Sequence, residues 1–167
     1  MNNNFFMGLE LLTEFSRFPR RPQPAKLEEF GEETRIANLC EYLSELQWVN
    51  FVVSGFGQAR WPVDVLTDLA VVLEQLPSVL PEIERGNYHF TLEFYEQGLE
   101  RYLYFSEATP WVRIDCLSLT EWTPTPSTVY LEKAVIKDML ISLQNSFEEL
   151  VNRLELNQIN SHGINPA

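Results

Sequence analysis

The strongest constraint on how this chain folds is an alternation that runs from residue 89 to residue 118. In HFTLEFY the apolar residues are Phe90, Leu92 and Phe94, and in ERYLYF they are Leu103 and Phe105, preceded by Arg101. In WVRIDCLS they are Val112, Ile114 and Cys116. Side chains two apart share one face of a strand, so each segment reads as a half-buried β-strand, over about 88–95, 100–106 and 111–118. If the apolar sets share a face, antiparallel pairing of the first two strands needs positions that sum to an odd number, hence a loop of even length. A two-residue turn at Gln97-Gly98, with Gly98 at positive φ, meets that need and sets Phe90 opposite Phe105 and Leu92 opposite Leu103.

The same parity sends His89, Thr91, Glu93, Tyr95, Glu100, Tyr102, Tyr104, Arg113 and Asp115 to the other face. A surface rich in tyrosine suits protein recognition, because the ring supplies contact area while the hydroxyl stays hydrated. Tyrosine and threonine are also ordinary outward residues of a solvated sheet. Glu93, Tyr95, Glu100, Tyr102, Tyr104 and Asp115 are the binding candidates on this face.

Chemical readings of the same residues fare less well. His89 and Glu93 would aim at one metal from a helix, but on a strand they stand roughly 13 Å apart. Glu93 and Glu100 could pair as a hydrolase's acid and base, yet such pairs work in a cleft that nothing here announces. Cys116 and His89 fall on opposite sides of the sheet. Cys40 sits on a helical stripe, so both thiols read as small core residues, and His162 stands alone near the end. SGFGQAR, residues 54–60, has only G-x-G and reads as a tight turn, not a nucleotide loop. Trp111 and Trp122 flank the third strand and could rim a ligand groove, although packing is the usual role of such residues. We expect no catalytic residue, no metal ligand and no cofactor.

Residues 32–46, EETRIANLCEYLSEL, carry Ile36, Leu39, Cys40, Leu43 and Leu46 on one stripe behind an acidic first turn, which predicts a helix. WVNFVVS, 48–54, is β-branched and aromatic and predicts a strand. A second helix is expected over 62–76, opened by Pro62, with Pro77 and Pro81 breaking the next stretch into a short turn of helix that ends near Gly86. A long helix is expected over 131–154, after the loop WTPTPST. Residues 5–18 fit a strand through Leu9, Leu11 and Phe15, and a helix through Phe5, Leu9, Leu12 and Phe15. We read them as a helix or docking arm. FPRRPQPAK comes next, an extended proline-rich linker whose PRRP matches a short and common recognition pattern.

These elements imply one α+β domain over 27–156, with an antiparallel sheet of three to five strands packed on about three helices. An arm and linker over 1–26 precede it, and a flexible tail over 157–167 ends the chain. The 167 residues suit one domain, and 45% hydrophobic content supplies a core without metal or disulfide. Arg17, Arg20, Arg21 and Lys26 cluster in the linker, whereas the chain from Leu27 holds eight basic and twenty-two acidic residues. With a net charge of −12, the body repels nucleic-acid phosphates and would attract a basic protein partner. The two cysteines form no framework or zinc pattern, and MNNNFFMGLELL has neither a basic leader nor a spanning apolar run. A cytoplasmic location is therefore expected. The leading functional expectation is a non-catalytic protein-binding domain of inhibitor, immunity or adaptor type. An enzyme with a pocket assembled from distant residues, and a structural homo-oligomer, are the alternatives.

Overall fold

A computed structural model describes residues 5–12 and 32–162, with side chains described for 5–12 and 35–154. The proline-rich linker and the last five residues lie outside the described residues. The elements are β1 (Phe6–Leu11), α1 (Glu32–Leu46), β2 (Val49–Ser54), α2 (Asp68–Glu84), β3 (Phe90–Phe94), β4 (Arg101–Ala108), β5 (Trp111–Ser118), β6 (Thr128–Glu132) and α3 (Lys133–His162). β3-β4-β5-β6 form a four-stranded antiparallel meander, and β1-β2 form a separate two-stranded antiparallel sheet. The fold is α+β, as the alternation and the helical stripes imply. One hydrophobic cluster joins all the elements, with Met7, Leu43, Val53, Leu69, Leu92, Leu103, Ile114 and Leu140 among its members.

The hairpin register is the expected one: Phe90 pairs with Phe105 and Leu92 with Leu103. Its connection differs. Six residues, 95–100, join β3 to β4 in place of a two-residue turn. An even count preserves the parity, so the faces are unchanged. Within the loop the N–H groups of Leu99 and Glu100 both donate to the Glu96 carbonyl, at 3.0 and 3.2 Å, and Gly98 takes the required positive φ of 96°. Leu99, in step with the inward-facing Arg101, Leu103 and Phe105, is buried within this loop.

Other expectations are corrected. Residues 6–11 form a strand, not a helix, because Met7 pairs with Val53 and Leu9 with Phe51 on β2. That partner lies far along the chain, so local periodicity could not reveal it. α2 begins at Asp68, not at Pro62. Asp64 organises the approach: its carboxylate accepts the Thr67 N–H at 2.7 Å, and the Asp68 carboxylate accepts the Asp64 N–H at 2.9 Å. This reciprocal arrangement works as a capping box does. α2 then runs through Pro77 and Pro81 to Glu84. Both prolines are exposed and four apart, so the helical bonds they delete lie on one side, while Leu76, Val79 and Ile83 stay buried on another. Finally, residues 128–132 form β6 rather than loop and helix start, and α3 continues to His162, into the segment expected as a tail.

Candidate functional site

The pairing of the meander sets out the outer face residue by residue. Thr91 lies beside Tyr104, Glu93 beside Tyr102, Tyr104 beside Asp115, and Tyr102 beside Leu117. Arg113 lies beside Tyr130, and Asp115 beside Thr128. Four of the six candidates, Glu93, Tyr102, Tyr104 and Asp115, therefore share this face. Tyr95 and Glu100 belong to the 95–100 loop at one end of the hairpin.

Large side chains stand among the polar residues of this face. Tyr104 (42%), Trp111 (43%), Leu117 (45%) and Tyr130 (54%) are all large side chains left open to solvent. Tyr102 and Tyr104, two apart on β4, stack with ring centroids 6.3 Å apart and planes only 11° from parallel. A parallel pair presents its rings in one orientation at little entropic cost to a binding partner, since each ring has few rotatable bonds.

The charges on this face are partly committed. Arg113 donates to Asp115 Oδ1 from Nε at 3.0 Å and from Nη2 at 2.9 Å. Thr128 Oγ1 donates to the same oxygen at 2.5 Å. The hydrogen bond to Asp115 raises the Arg113 pKa above its usual value. Asp115 thus fastens β5 to β6 and holds the Arg113 side chain on its own face. Tyr95, exposed in the loop, has its phenol pKa raised by burial first and then by the carboxylates of Glu74, Glu96 and Glu93. The Glu100 carbonyl accepts the Leu119 N–H at 2.9 Å, so its backbone ties the 95–100 loop to the end of β5.

The opposite face holds a buried cation. Arg101 is only 2% exposed and lies between two indoles, with its guanidinium carbon 4.2 Å from the Trp61 ring centre and 3.6 Å from that of Trp122. Cation–π attraction offsets part of the cost of removing this charge from water. Among the described residues no ion pair reaches it, and its Nε and Nη1 hydrogens have no acceptor. Burial lowers its pKa to about 10. Asp68, buried nearby at the start of α2, has its carboxyl raised to about 6, chiefly by burial, with its Oδ1 unpartnered. Burial also pushes the Cys40 and Cys116 thiols up to about 12, which keeps both protonated and unreactive at neutral pH.

The 119–127 loop brings Trp122 over Arg101 and rests on the turn after β2. There the Thr125 N–H donates to the Phe56 carbonyl at 2.9 Å. At Gly57 an added Cβ would stand 2.1 Å from the Thr125 carbonyl oxygen, so only glycine permits this approach.

An open groove of about 820 Å³ runs between α1, α2 and α3, lined by Ile36, Leu39, Leu73, Phe147 and Val151 and by Glu74 and Glu148. It draws together none of the six candidates and neither buried charge. Among the described residues no cluster of three or more histidines, cysteines or carboxylates could hold a metal ion. No helix there is long and apolar enough to cross a membrane. Comparison with protein-family models, with curated proteins and with solved structures finds no match.

Trp111 and Leu117 were within reach of the sequence, because they share parity with Arg113 and Asp115. Tyr130 was not, since it lies on β6, where the sequence pattern predicts a loop and the start of a helix. The signal for Arg101 was a charged residue at an inward position, in step with Leu103 and Phe105.

Proposed function

We propose that this protein is a non-catalytic binding domain, of inhibitor, immunity or adaptor type, whose outer sheet face engages a basic protein partner in the cytoplasm. The observation that carries the proposal is the set of large exposed side chains on one sheet face, Tyr104, Trp111, Leu117 and Tyr130, with the stacked Tyr102 among them, on a chain of net charge −12. Exposed apolar patches of this kind mark interaction surfaces, and aromatic anchors dominate binding energy. Charge complementarity then selects the partner's sign and speeds encounter. A cytoplasmic setting suits two cysteines that remain unpaired and buried. Like charge on both copies argues against self-association through this face.

Affinity capture with the tagged protein tests the proposal. A captured partner is expected to bind more weakly as salt rises, and at least tenfold more weakly to the Tyr102→Ala protein, on the scale of an interfacial anchor. Capture that ignores both salt and the Tyr102→Ala and Tyr104→Ala changes would sink it.

A further inference from the structure

The two edges of the four-stranded sheet are treated differently, and the difference points to how a partner docks. In an antiparallel ladder, residues alternate between exchanging hydrogen bonds with the neighbouring strand and pointing those groups away. On the β3 edge the phase of this ladder turns the backbone of Glu93 outward. That edge is closed at Glu93: Gln75 of α2 accepts the Glu93 N–H at 2.8 Å and donates to the Glu93 carbonyl at 2.9 Å.

On the other edge, the Cys116 N–H donates to the Ser127 carbonyl at 2.8 Å, in step with the pairing of Ile114 with Val129 and of Val112 with Leu131. Thr128 and Tyr130 therefore aim their N–H and C=O groups away from β5. Among the described residues nothing forms a hydrogen bond with those four groups. The open edge is continuous with the aromatic face, because Tyr130 belongs to both. Unpaired edges invite another strand, and natural proteins usually blunt them unless the edge is used.

We infer that β6 receives an extended, net-basic segment of another protein as a fifth strand of this sheet. This rests on the reading of the protein as a binding domain and adds the mode of docking. Main-chain hydrogen bonds to Thr128 and Tyr130 would supply register, and side chains of the added strand would lie beside Tyr130 on the outer face. β6 has five residues, enough for a contact about 17 Å long. The exposed Glu132 and the overall charge of −12 favour arginine or lysine in the added strand and oppose a second copy of this chain.

The probe is a displayed library of decapeptides with arginine at every other position and all residues between. The tightest peptide is synthesised, together with a version N-methylated at alternate amides. The expected result has three parts. The peptide slows hydrogen exchange of the Thr128 and Tyr130 amides at least tenfold, and the N-methylated version does not. Tyr130→Ala, which keeps the N–H, weakens binding only a few-fold. Tyr130→Pro, which removes it, abolishes binding. Should Tyr130→Pro fail to fold, the N-methylated peptide and the exchange data decide alone.

The inference is overturned if no peptide is selected, or if the selected peptide protects neither amide. It is equally overturned if concentrating the protein alone protects both, because a second copy would then fill the edge. A captured partner that is lost with Tyr102→Ala yet unaffected by Tyr130→Pro would leave the face reading intact and remove strand addition. Protection of Thr128 and Tyr130 by the peptide, with capture indifferent to Tyr102→Ala, would do the reverse.

Discussion

Arg101 and Tyr102 are neighbours on β4 and meet opposite surroundings. Arg101 points inward, buried between Trp61 and Trp122, whereas Tyr102 points outward and stacks on Tyr104 beside open solvent. A sheet of this kind usually puts apolar residues inside and charges outside. Here one strand puts a cation in the core and aromatic rings on the surface. The inner exception is tolerated because two indoles replace part of the lost hydration. The outer exception carries no such local compensation, and this asymmetry is why the function is sought on the outer face. An inner aromatic should matter for folding, and an outer one for binding.

Trp61→Ala should break the inner arrangement with the largest effect. Trp61 packs edge-on against Phe94 at 5.5 Å and Trp122 at 5.9 Å, and donates from Nε1 to the Gly55 carbonyl at 3.2 Å. Chemical denaturation should register a loss of about 3–5 kcal/mol, the usual cost of truncating a buried tryptophan.

Asp68→Asn should sharpen the account in the opposite sense. Folding raises the Asp68 carboxyl from an ordinary value of 3.8 to about 6. The folded protein therefore holds its proton to higher pH than the unfolded chain does. Stability falls as pH rises between these two values, and the full penalty, roughly 3 kcal/mol, is present above pH 6. Asparagine removes that charge and keeps an oxygen for the Asp64 N–H. Melting curves should show the variant more stable at pH 7.5, with the gain gone by pH 3.5. A gain that persists at pH 3.5 would mean the charge is not its source.

Gln75→Ala tests the comparison of the two sheet edges. Loss of its two hydrogen bonds to Glu93 should cost about 1–2 kcal/mol and speed exchange of the Glu93 amide. Unchanged exchange at Glu93 would mean that the β3 edge is closed by something else. The smallest effect on folding is expected from Tyr104→Ala, within about 0.5 kcal/mol by denaturant melting, as for an exposed residue. A large loss there would make the outer rings structural and weaken the binding proposal.

The hairpin register and the split of its residues between two faces were legible in the sequence, because period-two alternation admits one pairing parity. The length of the connection was not, since loops of two and of six residues keep the same parity. β1 escaped because its strand character comes from pairing with β2, with all of α1 between them. The proline rule misled at Pro77 and Pro81, where both residues fall on one exposed side and the buried side of the helix holds. Of the candidate face, the residues on β3, β4 and β5 could be named in advance. Tyr130 needed β6, five residues hidden behind a proline-bearing loop.

The close approach at Gly57 has an optical consequence. A methyl group at that position would wedge against the Thr125 carbonyl and push away the loop that carries Trp122. The indole would then leave the cation it covers and enter water, shifting its emission to longer wavelength. Trp122 is in this sense a built-in fluorophore that reports whether two loops, more than sixty residues apart in the chain, remain joined.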